Sequence, residues 1–260
     1  ESESRGLGDV YKRQVIGLPL FFGTEQMFHW IHPEGDAILM GKVAYLNMPF
    51  FVIRYIAFFG IWTFFTWLFY RNSVKQEKTK DQKITTTNLR LSALFLVLFA
   101  LTSSFFSIDW VMSLESHWFS TMFGIYYFAG TVMVGFCVLA LFTIKLRENG
   151  YLHPDQSDSH YYPIANFMFA FNCFWVYIAF CQFMLIWYSG LPEETMYFIP
   201  RFEGGYKILA IFLMVVHFPI PFYTLVGRFN KTRPKVIKFM AWWLLGCHVL
   251  DLYWLIMPSM

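Results

Sequence analysis

Between Ser104 and Gly124 the chain reads SFFSIDWVMSLESHWFSTMFG, which sets Asp109, Glu115 and His117 between two long apolar runs. Carboxylates and an imidazole in one short stretch are groups that can exchange protons near neutral pH. Asp109 stands near the C-terminal end of one apolar helix, the wrong end for an anion. His117 opens the next helix, the wrong end for an imidazolium. Two breaches of the same electrostatic rule in one tight turn point to a site, or to partners from other helices. A local Asp109–His117 pair that relieves both is the plainer alternative. Glu115, just ahead of a helix N-terminus, reads as a cap.

Other ionisable residues lie deeper inside apolar runs. Counting 1.5 Å per residue from the outer helix ends places Glu25, Arg54, His217, His248 and Asp251 about 10 to 15 Å deep, and His29 and Asp109 within about 5 Å. All seven fall in one half of the membrane. Charges at such depth are costly and normally face the bundle interior with partners. Glu25 and Arg54, at similar depth, can form a buried ion pair that serves packing or a functional site. His217, beside Pro219 and Pro221, reads as a satisfied core donor or a ligand. His248 and Asp251 lie one helical turn apart and can form a hydrogen-bonded relay pair.

The elements that must carry these groups follow from composition. Of 260 residues, 57% are hydrophobic, 22% aromatic and only 14% charged, a balance outside that of soluble domains. Six stretches of about 20 apolar residues can each cross a bilayer as a helix: roughly 44–70, 91–112, 118–145, 162–188, 208–227 and 239–258. A seventh, 15–32, is expected to be the end of a cut helix. The first fourteen residues, ESESRGLGDVYKRQ, differ in composition from the rest and resemble translated adaptor sequence. The fold class expected is therefore an all-α polytopic transmembrane bundle over 15–260, truncated at its N-terminus and at its C-terminus.

Lys and Arg gather in alternate loops, at 71–90, 145–160 and 228–238, which the positive-inside rule assigns to the cytoplasm. The formal charge of +3 is accounted for by these topology signals, and no nucleic-acid function is read from it. Cys137, Cys173, Cys181 and Cys247 all lie in apolar runs with no CxxC spacing, so haem attachment, structural zinc and iron–sulfur ligation by this chain have no support. They read as small buried hydrophobes. Pro219 and Pro221 should kink their span and free carbonyls for neighbouring donors.

Three chemistries compete. Bis-histidine haem b would need His217 and His248 at matched depth. A secondary transporter would want broken helices and polar groups on both sides of the midplane, of which only the Pro219/Pro221 segment gives a hint. A quinol site needs bases for two protons near one surface, a partner for each ring oxygen and aromatic walls. It fits the one-sided distribution better, and its electron acceptor must sit on another subunit.

Three stretches carry a family resemblance: GKVAYLNMPFFVIR (Gly41 to Arg54), DWVMSLESHWFSTMFG (Asp109 to Gly124) and FCQFMLIWYSGLPEETMYF (Phe180 to Phe198). They resemble the second large membrane subunit of alternative complex III, the bacterial quinol:cytochrome c (or quinol:oxidase) oxidoreductase. That subunit is related to the membrane subunit of polysulfide reductase. The resemblance covers nearly everything after Val15. It implies a subunit of about ten helices around two four-helix bundles in the bacterial inner membrane. The partners it implies are a homologous membrane subunit, an iron–sulfur subunit and c-haem subunits, and the cofactor is quinone or quinol. The role of this second membrane subunit is argued between quinone binding, proton conduction and scaffolding. The matching positions are Arg54, Asp109, Glu115, His117, Gln182, Glu193 and Glu194, with His248 and Asp251 in a weaker match. The depth count and the resemblance together make Asp109, His117, His248 and Asp251 candidates for proton transfer, and Glu25, Arg54, His217 and Gln182 candidates for a quinone pocket or a buried polar network, Glu25 and His217 on their depth alone. The chain departs from the family at Ser116, where proline is usual, and at Pro163 to Asn166, where a lysine-bearing helix start is usual, which puts in doubt an inner proton entrance through that lysine.

Overall fold

The computed structural model describes residues 27–152 and 157–260. Among these the elements are helical, with no strand. Six helices are long and apolar enough to cross a membrane, so the chain is an all-α, multi-pass helical membrane protein. It divides into two compact units at the His117/Trp118 boundary. Glu25 and most of the expected span 15–32 lie outside the described residues; the described end of that stretch, His29–Ile31, is a 3-10 turn.

The first unit contains a short helix α1 (Ala37–Lys42) and two long antiparallel helices, α2 (Met48–Thr79) and α3 (Gln82–Trp110). Asp36 caps α1 through the amide groups of Ile38 and Leu39, and Asn47 caps α2 through Phe50. The basic segment 71–90, expected to be a loop, is helical on both sides. Only Lys80, at φ 54°, and the N-cap Asp81 turn the chain, because Lys, Gln, Glu and Arg keep a helix going as well as apolar residues do. The two helices hold each other through aromatic rings, such as Phe65 stacked on Phe95 at 4.9 Å. Polar bridges add to this: the Trp62 indole donates to Thr102 Oγ1 at 2.8 Å, and Asn72 donates to Asn88 at 2.7 Å.

The second unit holds α4 (Phe123–Glu148), α5 (Tyr161–Ser189), α6 (Pro192–Thr195), α7 (Gly204–Phe212), α8 (Pro219–Leu225) and α9 (Pro234–Ile256). Its core is built from Met133, Cys137, Ala140 and Ile144 of α4, Tyr161, Ala165 and Met168 of α5, and Ile237, Met240, Ala241 and Leu244 of α9. The 3- and 4-residue steps put each set on one helix face. Small residues at Ala129, Gly130, Ala140, Ala165 and Ala241 let backbones approach, as membrane interfaces require. Cys137 and Cys247 are buried in this packing, whereas Cys173 and Cys181 are only half-buried; all four are free thiols.

Two expectations are corrected. Helix α4 begins at Phe123 rather than Trp118, so His117 opens no helix and Glu115 ends a 3-10 turn, Met112–Glu115, instead of capping α4. Trp118 is buried against Tyr197 with ring centroids 3.8 Å apart. The span at 208–227 is broken as the prolines required, and the break takes the form of a π-helical turn at Leu213–His217 ahead of Pro219. Pro221 is missing an amide donor, and Pro219 sits at the first helical position where that loss is tolerated.

Candidate functional site

In the first unit, Asp109 is buried near the end of α3 and does not pair with His117. Its partner is Arg54, one helix away. Arg54 Nε donates to Oδ2 at 2.8 Å and Nη2 donates to Oδ1 at 3.0 Å, a bidentate pair. Tyr45 Oη donates to Oδ1 at 2.9 Å, and Arg54 Nη1 donates to the Tyr45 carbonyl at 3.1 Å. The guanidinium also lies over the rings of Tyr45 and Phe50 at 4.0 and 4.3 Å. Burial and the Asp109 charge push the Tyr45 phenol well above its usual range, so it stays a donor at physiological pH. Both carboxylate oxygens of Asp109 are engaged in a closed network.

His117 instead bonds Asp36 through Nε2. That bond holds the Asp36 carboxyl below its ordinary range, with further support from the Leu39 and Ile38 amides. Lys42 donates to the Ser116 carbonyl at 2.6 Å, and burial lowers its ammonium pKa. These bonds tie α1 and its N-cap down onto the turn that follows α3.

The second unit has a different character. Tyr126, on the first turn of α4, donates to Asp251 Oδ1 of α9. Asp251 Oδ2 has no hydrogen-bond partner, although the residue is only 1% exposed. His248 Nδ1, one turn earlier, lies 3.9 Å from Oδ2, beyond hydrogen-bond length. The pair expected from the i, i+3 spacing is thus close without being joined. His217 is fully buried, and neither ring nitrogen has a hydrogen-bond partner. It is therefore not the satisfied core donor that its setting suggested; its ring packs on Trp175 with centroids 4.0 Å apart. The Trp175 indole N–H lies beside the Asp251 carboxyl, short of hydrogen-bond geometry. Orphaned polar atoms at this density are unusual, because buried polar groups normally find partners.

A cavity of about 120 Å³ adjoins this cluster. Asp251, Tyr126, Trp175 and Gln182 are among the residues that line it, with Phe123, Phe183, Phe198 and Trp254 among its aromatic walls; its surface is almost wholly apolar, and Asp251 Oδ2 and the Trp175 indole nitrogen are buried rather than open to it. Its rim includes Phe180 of α5 and Met214 of the π-helical turn, each more than half exposed on the outer surface of the helices. An apolar chamber with a few convergent polar groups is the usual form of a small-molecule site. Its size matches a single six-membered ring, since cavities of about 150 Å³ hold benzene.

Residues that the sequence did not single out complete the site. Arg201, in the 3-10 turn Pro200–Phe202, is 1% exposed. It donates to the Tyr197 carbonyl at 2.6 Å, the Leu255 carbonyl at 2.8 Å and Ser259 Oγ at 2.6 Å, with its guanidinium 3.6 Å from the Tyr197 ring. It fixes Tyr197 and Leu255, which line the cavity. Gly130 lets His248 in: a Cβ there would sit 2.7 Å from His248 Cε1 and 3.1 Å from Nδ1. Gly130→Ala should therefore displace the imidazole. Overpacking costs about 1 to 3 kcal/mol, offset by about 1 kcal/mol of alanine helix propensity. A net fall in thermal midpoint is expected, recovered in the Gly130→Ala/His248→Ala double variant; an unchanged midpoint would show that the contact carries no constraint.

Among the described residues no cluster of His, Cys, Asp and Glu has the geometry of a metal site. A scan against protein-family models gives no match to this chain, and a search of curated proteins gives none either.

Proposed function

We propose that this chain is an integral membrane subunit of a respiratory quinol:cytochrome c or quinol:oxidase oxidoreductase, similar to the second large membrane subunit of alternative complex III, and that its second unit takes the quinol ring. The observation that supports this is the ring-sized, aromatic-walled cavity lined in part by Asp251, whose unpartnered carboxylate oxygen is buried beside it. Asp251 Oδ2 is the free base, oriented by the bond from Tyr126 to Oδ1. Gln182 and the Trp175 indole are the polar groups available to a second ring oxygen. His248, 3.9 Å behind Asp251, can take the proton onward after a small movement or through one water.

Oxidation of a quinol to a quinone releases two protons and two electrons. The protons go to Asp251 and His248 and leave on the side opposite the basic loops 71–90, 145–160 and 228–238, which face the cytoplasm of a bacterial inner membrane. The electrons go to an iron–sulfur or c-haem centre on partner subunits, beside a homologous membrane subunit. For the first unit, the closed Arg54–Asp109–Tyr45 network favours a second reading, that of a packing device.

Purification from native membranes through a tag on this chain tests the proposal. Recovery with iron–sulfur and c-haem subunits and with quinol-driven electron transfer is expected. A chain that purifies without redox partners would overturn it and favour a transporter.

A further inference from the structure

At the basic end of the second unit, Lys231 is 6% exposed, in a 3-10 turn at Asn230–Thr232. Its ammonium lies 4.3 Å from the Phe169 ring centroid and 6.0 Å from that of Tyr162. Arg228 lies 5.5 Å over the same Tyr162 ring. Two cations thus share one aromatic ring. Aromatic rings attract a cation without neutralising it, and a buried charge normally has an ion partner.

Among the described residues no carboxylate fills that place. The segment from Val226 to Lys238 contains five Lys and Arg and no Asp or Glu. Two acids of the same unit are already engaged: Asp158 with Arg147, and Glu148 with Lys238 at 2.9 Å. Beside the cations, Tyr223, Val226 and Phe229 are 76%, 54% and 65% exposed. Cations above an exposed apolar strip make a surface with the two-part chemistry of a lipid, an anionic head and a hydrocarbon tail.

We propose that Lys231 and Arg228 form a binding site for the phosphodiester group of an anionic phospholipid, whose acyl chains lie along Tyr223, Val226 and Phe229. The site is independent of the ring-sized cavity and does not rest on the quinol reading. Lys231 supplies a fixed ammonium, positioned by Phe169 and Tyr162, and Arg228 closes on the phosphate from the exposed side. A zwitterionic lipid adds a choline cation that this surface repels.

The test is native mass spectrometry of the purified, delipidated protein in detergent, titrated with phosphatidylglycerol, phosphatidylcholine or inorganic phosphate. Phosphatidylglycerol is expected to bind in preference to phosphatidylcholine, weakened about fivefold by each of Lys231→Gln and Arg228→Gln. Lys83→Gln, a cation in the first unit, should leave it unchanged. Arg228→Gln, at an exposed position, keeps the test valid if Lys231→Gln fails to fold. Equal binding of the two lipids, or no effect of either substitution, would overturn the proposal; binding of inorganic phosphate as tight as that of phosphatidylglycerol would overturn the lipid as its source.

Discussion

Asp251→Asn should lower quinol-driven electron transfer by roughly a hundredfold or more, the loss expected when a positioned base is removed from a proton transfer. Asparagine keeps the shape of the side chain and can still accept from Tyr126, so assembly and subunit composition should be unchanged. Tyr126→Phe provides the graded companion. It removes the bond to Oδ1 and leaves the carboxyl in place, so a smaller loss with an altered pH profile is expected. The measurement is cytochrome c reduction by the purified complex at saturating quinol, across pH. Wild-type turnover in Asp251→Asn would remove this carboxyl from the mechanism, whatever the subunit's partners.

Arg54→Leu and Asp109→Leu should each destabilise the protein by about 3 to 5 kcal/mol, because either change leaves the opposite charge buried and unpaired. The double variant should recover most of that loss, since replacing both partners of a buried pair with apolar residues is often close to neutral. Thermal unfolding of the three variants in detergent gives the comparison directly. A double variant as unstable as the singles would mean that the network holds something besides the two charges, with Tyr45 the first residue to examine. Activity separates the roles further: if the double variant assembles, its turnover should stay near that of the wild type, in contrast to Asp251→Asn.

The helices were legible in the sequence because twenty apolar residues in a row leave few other solutions. The ends were less so. Helices α2 and α3 ran on through a basic segment that charge counting marked as a loop, and α4 started five residues later than the apolar run. Local electrostatics correctly marked Asp109 as misplaced at a helix C-terminus, but its partner was Arg54 on a neighbouring helix rather than the nearby His117. Pairing between helices depends on their rotation and register, and neither is written in a single helix. The same holds for Tyr126, whose bond to Asp251 spans most of the second unit. Gly130 gave no signal, because its value lies in what another helix brings against it. Arg201 looked like an ordinary loop base, and its burial comes from carbonyls and a ring that the fold delivers.

The π-helical turn at Leu213–His217 makes the aim of His217 a question of phase. An α-helix advances about 100° per residue, and a wide turn absorbs one extra residue before the regular ladder resumes. A single-residue deletion between Leu213 and Val216 would remove that extra residue and let the helix close into ordinary pitch with both flanks in their present phase, whereas the same deletion near the end of α7 would swing everything before it about 100° relative to α8. In that second case Ala210 would leave the cavity wall, while the core beyond Pro219 kept its own face. The turn therefore holds a spare residue, with the imidazole at its end: the loss of one residue is absorbed there, but reaches the cavity when it falls in α7.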